Sequence, residues 1–397
     1  MSFLTLKDMD LENKRVLVRV DFNVPLKDGK VSDDNRIRQT LPTINYLLEK
    51  KCKIILMSHL GRPQKLLKKG KKFEEIKKEL TLNPVAEDLS EILGVDVIFA
   101  ENSIGLDSVD TNIPKGDIVL LENIQFNEGE TKNDDGYAKK LASIADVYVN
   151  DGFAQSHREY ASFCAITKFL PSCAGFLLQK EINELSKLLK PEKPFIAIIG
   201  GAKADKIKVI KSLLHKVDCM IVGGVLANTF QKAKGVDIKA SKFDEKTLNL
   251  AKNFVNEEKI ILPEDVVVAD KFEENAQSKN VNVNNIPDNW MVMDIGNKTI
   301  KNYKDKLKNA KTVLWAGPLG VFEFEKFSNG TRQIAKFIAN LNAITIIGGG
   351  DLTAAIYKFG LADKMTYVST GGGASLEFIE KEGKLPALVV LEEAAKK

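Results

Sequence analysis

Short apolar runs, mostly β-branched, punctuate the chain at Val16–Val20, Ile54–Met57, Ile118–Leu121, Val147–Val149, Ile196–Ile199, Met220–Val222, Val266–Val268, Val313–Trp315, Ile344–Ile347 and Tyr367–Val368. Most are too short and too uniformly apolar to be half-exposed antiparallel strands, so they predict buried parallel ones. Helical spacing lies between many of them. From Arg38 to Glu49, the residues Leu41, Ile44, Tyr46, Leu47 and Leu48 fall near one face, and Ile207, Ile210, Leu213 and Leu214 repeat the pattern downstream. Alternating strand and helix predicts an α/β chain built on doubly wound, Rossmann-like parallel sheets covered on both faces.

Proline and charge placement divide this pattern. The stretch from Phe176 to Leu189 reads as one helix, closed by Pro191 and Pro194 before a new strand begins. Placing it as a bridge predicts an N-terminal domain over 1–170, an interdomain helix over 171–190 and a C-terminal domain over 191–380. A tail over 381–397 is then expected to pack back on the N-terminal domain. The lysine-rich stretch from Lys65 to Lys78 has no apolar periodicity until Ile76 and predicts a solvated loop.

The length of 397 residues suits two domains, each able to bury a sizeable core. Hydrophobic residues at 44% and charged residues at 28% exclude a disordered chain, and a net charge of +4 is too small to imply a nucleic-acid or membrane footprint. No apolar run approaches the roughly 20 residues of a membrane span. The N-terminus lacks the basic-then-apolar pattern of a signal peptide. Cys52, Cys164, Cys173 and Cys219 form no CxxC pair, which disfavours zinc and disulfides and predicts inert thiols in a reducing, cytoplasmic setting. Only seven of the 58 basic residues are arginine, six of them within the first 158 positions, so each arginine carries more information than a lysine.

Glycine is informative through its clustering. Gly200–Gly201, Gly223–Gly224, Gly348–Gly350 and Gly371–Gly373 each follow an apolar run, and at least three of these clusters precede a helical pattern. Tight strand-to-helix turns alone could explain one such cluster. Four in one half predict a phosphate-bearing ligand held outside the strand C-termini, with helix N-termini donating N–H groups. No GxxxxGK[ST] or GxGxxG string occurs, which excludes a P-loop and weakens a dinucleotide-binding reading. Lys203 follows the first cluster, and Asp351 follows the third, where a Mg²⁺ on phosphates could be held.

The N-terminal half offers different chemistry. Asp21 and Asn23 follow RVLVRV, Arg36 precedes a helix, His59 and Arg62 follow IILM, and His157 and Arg158 follow VYVND. Cationic side chains emerging after successive strands converge on one sheet edge and suit a small polyanion, with Asp and Asn accepting from its hydroxyls. The remaining histidine, His215, is expected to be structural and within a helix.

Six segments now acquire a joint meaning: RVDFNVP (19–25), SHLGRP (58–63), IGGAK (199–203), GPLGVFE (317–323), IGGGD (347–351) and STGGGASLE (369–377). In content and order they resemble the signature segments of the phosphoglycerate kinase family, and they span nearly the whole chain. The resemblance implies two hinged α/β domains and transfer of a phosphoryl group between 1,3-bisphosphoglycerate and ADP, giving 3-phosphoglycerate and MgATP. It implies that Asp21, Phe22, Asn23, Arg36, His59, Leu60, Gly61, Arg62 and Arg158 hold the glycerate. Gly201, Ala202, Lys203, Gly223, Gly224, Pro318, Glu323, Gly349, Gly350 and Asp351 would serve the nucleotide, with Asp351 also serving Mg²⁺. Arg36, Lys203 and Gly372 would face the transferring group. A cytoplasmic monomer is the family expectation, with no nucleic-acid or membrane partner.

The departures from the family pattern are specific. Gln125 stands where LLENxRF has Arg, Val225 replaces the third Gly of a GGG run, and Ala316 replaces the Asn of WNGP. Leu352 follows Asp351 where Thr or Ser is usual, with Thr353 next, and GGAKADK is one residue shorter than GGAKVxDK, which leaves Lys206 unassigned. Most of these fall on the nucleotide side. They set a working kinase against a weakened homologue kept as a binding or interaction protein.

Overall fold

Where β-branched residues run together, strands form, and most strands of the parallel sheets are followed by a segment whose apolar positions recur at helical spacing. The computed structural model describes residues 2–101, 117–202 and 206–396. It contains two compact units, residues 1–183 with 384–397, and residues 184–383.

In the first unit, six parallel strands are β1 (Arg15–Arg19), β2 (Lys53–Met57), β3 (Val97–Ala100), β4 (Ile118–Leu121), β5 (Val147–Asn150) and β6 (Ser172–Ala174). They lie in the order β3-β4-β2-β1-β5-β6. The register pairs Val16 with Ile54 and with Val147, so the central strands run in step. All four residues of β4 and of β5 are buried, as strands covered on both faces require. Ile37, Ile44 and Leu47 of the helix Asn35–Glu49 enter the core of one face beside Val16, Val18 and Leu56. The helix Pro386–Ala394 near the C-terminus belongs to this unit, where Ala387 packs with Phe163 and Cys164.

The second unit repeats the plan with β7 (Phe195–Ile199), β8 (Cys219–Val222), β9 (Ile260–Ile261), β13 (Thr312–Ala316), β14 (Ile344–Gly348) and β15 (Tyr367–Val368) in the order β9-β8-β7-β13-β14-β15. Between β9 and β13 stand β10 (Asp265–Ala269), β11 (Ser278–Asn282) and β12 (Met291–Ile295), a separate sheet of order β11-β10-β12. Both pairings in it are antiparallel, so Val266–Val268 does not join the parallel set that its apolar run suggests. Its neighbour β11, SKNVN, is polar and has no fully buried residue, as suits an outer strand of an antiparallel sheet with one face toward water.

Two further expectations change. The Lys65–Lys78 stretch is not a loop throughout: it enters the helix Pro63–Leu67 and then the helix Phe73–Leu80. Phe73, Ile76 and Leu80 recur at i, i+3 and i+7, Ile76 is buried, and Glu74 and Glu75 occupy the first turn with Lys77 and Lys78 in the last. Those charges complement the helix dipole, so the polar composition supports the helix. His215 lies one residue past the helix Lys206–Leu214 and is exposed, because its helix ends at Leu214. All four cysteines are free thiols, three of them buried, and burial raises Cys52 to about 11 and Cys164 to about 12.

Candidate active site

In each unit most of the described candidate residues occupy the loops after the strand C-termini, the edge at which open parallel sheets bind ligands, while Arg36, Gly224, Gly350 and Asp351 stand in the first turns of helices. In the first unit, Asp21, Phe22 and Asn23 follow β1. Ser58 to Arg62 follow β2, Glu122 to Gln125 follow β4, and Asp151 to Arg158 follow β5. The first two loops are tied together by Phe22 N–H donating to Ser58 Oγ at 2.8 Å and Gly61 N–H donating to Asn23 Oδ1 at 2.8 Å. Gly61 has φ of +64°, which favours glycine, and a Cβ there would also press on the end of the Leu80 side chain, 2.7 Å from its Cδ2. Leu60 and Phe22 are buried and fix these loops to the core. Arg62 and Arg158 are exposed, Asn23 is half-buried, and His157 is half-buried beside Arg158.

The charges form a gradient from the core outward. Arg36 pairs with Asp21, and Asp21 Oδ1 lies 3.8 Å from His59 Nδ1. Behind them sits Arg19, fully buried, its guanidinium donating to Ser162 Oγ at 2.9 Å and to the Val20 carbonyl, and lying 4.5 Å over the Phe163 ring. Ser162 Oγ in turn donates to Glu130 at 2.6 Å, so a buried carboxylate balances the buried guanidinium through one hydroxyl. Burial alone would raise the Asp21 carboxyl, but Arg36, with Arg19 behind it, holds it below the ordinary range. Burial first, then the surrounding arginines, depress His59 to about 3. His59 is therefore a neutral donor or acceptor, not one of the cations that its place in the basic set suggests.

Sequence reasoning passed over the residues that hold these loops in place. Glu122 accepts from Leu82 N at 2.9 Å, Asn123 N at 2.7 Å and Thr81 Oγ1 at 2.8 Å. Asn123 Nδ2 donates to the carbonyls of Leu60 at 2.8 Å and Leu80 at 3.0 Å. The available signal was two adjacent polar residues directly after the apolar strand β4, where buried polar groups need partners. Gln125, the residue replacing the expected arginine, is buried in the turn Ile124–Phe126, with its N–H held by Asn123 Oδ1 at 3.1 Å.

In the second unit the glycine clusters line the C-terminal edge. Gly200 N–H donates to the Ala316 carbonyl and Gly201 N–H to the Pro318 carbonyl, both at 2.8 Å, joining the loops after β7 and β13. Gly224 N–H reaches the Leu319 carbonyl at 3.1 Å, which adds the loop after β8. A side chain at Gly200 would fall on the Pro318 carbonyl, and one at Gly223 on Leu319, so these glycines permit close backbone approach. Gly350, Gly372 and Gly373 differ: a Cβ at any of them would meet nothing within 4 Å. They stand at the starts of the helices Gly350–Lys358 and Gly373–Glu380, so open space lies on the side-chain side of both helix starts. Ala202 and Glu323 are exposed, Gly349 has φ of +92°, and Asp351 is exposed in the first turn of its helix. Lys203 lies outside the described residues.

The nucleotide-side departures sort by position. Leu352 is fully buried in the core with Ile347 and Ile356, so its side chain belongs to packing. Ala316 is buried at the end of β13, and Val225 is half-buried in the first turn of the helix Gly224–Ala233. Thr353 Oγ1 is buried without a hydrogen-bond partner among the described residues.

One parallel-sheet edge carrying a cluster of arginine, histidine and carboxamide, and a second lined by open glycine turns at helix starts, define a phosphate-handling α/β protein. The phosphoglycerate kinase family model matches residues 6–383. The phosphoglycerate kinase of Moorella thermoacetica is 50% identical over 99% of this chain and 100% of its own length. The cytosolic phosphoglycerate kinase of Triticum aestivum is 50% identical over 98% of each. The solved phosphoglycerate kinase structure from Coxiella burnetii, 42% identical, covers 99% of this chain and 100% of its own with a TM-score of 0.84. That from Pyrococcus horikoshii, 32% identical, has a TM-score of 0.87 over the same coverage. The chain belongs to the phosphoglycerate kinase family.

Proposed function

We propose that this chain transfers a phosphoryl group reversibly from 1,3-bisphosphoglycerate to ADP, giving 3-phosphoglycerate and MgATP, and that the two sheet edges divide the substrates. The observation that carries the division is their contrasting chemistry. Arg36, Asp21 and His59 cluster at one edge, and glycines that leave open space at helix N-termini line the other.

On the glycerate side, Arg36, Arg62 and Arg158 supply positive charge for the carboxylate and the phosphate that stays behind. Asp21 and Asn23 accept from the hydroxyl, and neutral His59 contributes a directed hydrogen bond. Phe22, Leu60 and Gly61 shape the pocket floor. The acceptor is a carboxylate in one direction and a phosphate oxygen in the other, so no general base is needed. Catalysis then rests on in-line positioning and neutralisation of the transferring group by Arg36, by Lys203 and by the N–H groups that begin at Gly372.

On the nucleotide side, Gly223 and Gly224 form the wall of the base pocket. Pro318 and Glu323 hold the ribose, and Gly201, Ala202, Gly349 and Gly350 present backbone to the phosphates. Among the described residues no three His, Cys, Asp or Glu side chains gather as a metal cage. An exposed carboxylate beside a phosphate cradle nonetheless fits Mg²⁺, which keeps several waters and binds through one or two carboxylates plus substrate phosphates. Asp351 would hold that ion, whose chemistry is to neutralise charge on the nucleotide phosphate oxygens. The cytosol and a monomeric state complete the proposal, the first supported by the similarity to the cytosolic phosphoglycerate kinase of Triticum aestivum. No helix among the described residues is long and apolar enough to cross a membrane.

The test is ATP formation from 1,3-bisphosphoglycerate with ADP titrated, and ADP formation from MgATP in the reverse direction with 3-phosphoglycerate titrated, each in a coupled assay. Replacing Arg36 by Ala is expected to lower kcat/KM by roughly 10² to 10³-fold, as loss of a transition-state donor does. Wild-type turnover in that variant, or tight 3-phosphoglycerate binding by the native chain without any turnover, would overturn the proposal.

A further inference from the structure

The carboxylate of Asp294 is 1% exposed on β12 and is not among the residues assigned above to substrate. Its Oδ2 accepts from Gly330 N at 2.7 Å, and its Oδ1 from Ile295 N at 2.9 Å. Two chain segments give up their side chains around it. A Cβ at Gly320 or at Gly330 would fall on Asp294 Oδ1, yet neither glycine has positive φ. The demand for glycine therefore comes from space, which the carboxylate takes at both positions, together with the Phe327 carbonyl at Gly320 and Ile295 Cγ1 at Gly330.

The consequence reaches the nucleotide edge by a short hydrogen-bonded route. Gly330 lies in the first turn of the helix Asn329–Ile338, and its neighbour Thr331, also buried, accepts the Leu319 N–H on Oγ1 at 3.1 Å. The Leu319 carbonyl holds Gly224 N, and its side chain fills the space that a side chain at Gly223 would need. From below, the Met293 carbonyl accepts Val321 N at 2.8 Å. The turn 317–323, which carries Pro318 and Glu323, is thus seated on β12 from one side and clipped to the 223–224 turn from the other.

We infer that Asp294 is a positioning residue for nucleotide binding: it sets the height of the 317–323 turn, through the start of the helix Asn329–Ile338, without touching substrate. This inference rests on the reading above that the 317–323 turn serves the nucleotide. A role confined to stability would lower the amount of folded enzyme and leave both Michaelis constants alone. A positioning role moves the constant for one substrate only.

The experiment measures KM for ADP and for 3-phosphoglycerate in three variants, Asp294→Asn, Thr331→Val and Glu323→Ala. Asn keeps one acceptor but turns an amide donor toward a backbone N–H, and Val removes the hydroxyl that holds Leu319 while keeping shape. The first two are expected to raise KM for ADP by about three- to tenfold, the effect of losing or mispairing one buried hydrogen bond, and Glu323→Ala to raise it through loss of the ribose contact, with KM for 3-phosphoglycerate within about twofold of wild type in all three. Should Asp294→Asn fail to fold, Thr331→Val tests the same route. A raised KM for ADP in Glu323→Ala but in neither other variant overturns the inference and leaves the nucleotide reading standing. An unchanged constant in all three overturns both.

Discussion

The pair His59 and Arg19 shows how burial reassigns a charge that composition suggests. Beside Arg36 and Arg62, a histidine after β2 reads as one more cation for an anionic substrate. In the structure it is 2% exposed with Arg19 NH2 3.4 Å from its Nδ1, so burial and like charge keep the ring neutral. A group depressed from 6.5 to about 3 cannot take a proton in the working range. The pH profile of kcat/KM for 3-phosphoglycerate between pH 5.5 and 8 is therefore expected to be parallel in wild type and in His59→Gln, whose amide also donates without ionising. Any curvature common to both belongs to the substrate phosphate, whose second ionisation falls near pH 6. A step near 6.5 present only in wild type would show that His59 titrates. The arginines that bear on the site were legible because they are scarce, but Arg19 was not. Its partners Ser162 and Glu130 are distant in sequence, and nothing in RVDFNVP says that its one arginine points inward.

At the scale of elements, strands with β-branched runs were legible, and their loops followed, because period and burial act locally. The sheet β11-β10-β12 was not, since β11 is polar and β10 alone looks like a parallel core strand. The helix Phe176–Ser186 illustrates a feature that only folding reveals. Asp151 Oδ1 accepts the N–H groups of Leu177 at 2.9 Å and Leu178 at 3.1 Å, and Thr43 Oγ1 accepts that of Phe176 at 3.0 Å. Three orphan donors of its first turn are thereby satisfied by residues far away in sequence. Burial raises the Asp151 carboxyl to about 7, while the Thr43 hydroxyl and the two amides pull it back. The native state keeps a proton that the unfolded chain releases near 3.8. Between about pH 4 and 7 the folded form thus binds more protons, and this group's contribution to stability falls as pH rises. Asp151→Asn keeps the accepting oxygen and has no proton to lose. Urea midpoints at pH 5, 6, 7 and 8 should decline less steeply in this variant than in wild type, and identical slopes would show that no proton is retained. Asp151→Ala leaves two buried donors without an acceptor and should cost about 1–3 kcal/mol at pH 7.

For the molecule as a whole, the two units have separate hydrophobic cores, one around Val16, Val18 and Ile54, the other around Ile198, Trp315 and Ile347. Chains with more than one such core often leave two-state behaviour, so heat can melt them in stages. The sequence places a reporter conveniently. Both of its tryptophans, Trp290 and Trp315, fall in residues 184–383, so tryptophan fluorescence follows that unit while far-ultraviolet circular dichroism follows both. A ligand that binds only folded protein at 100 times its Kd adds about 2.7 kcal/mol of stability. For a unit of this size that corresponds to a rise of roughly 5–10 °C in Tm. If the proposed division of substrates is right, MgADP alone should raise the fluorescence midpoint by that amount. Saturating 3-phosphoglycerate should shift the circular-dichroism transition and leave the fluorescence midpoint within about 2 °C, the size of a sub-kcal/mol effect. Equal shifts of the fluorescence midpoint by the two ligands would contradict the assignment of one substrate to each unit, because a ligand held in residues 1–183 has no direct linkage to the melting of the other core.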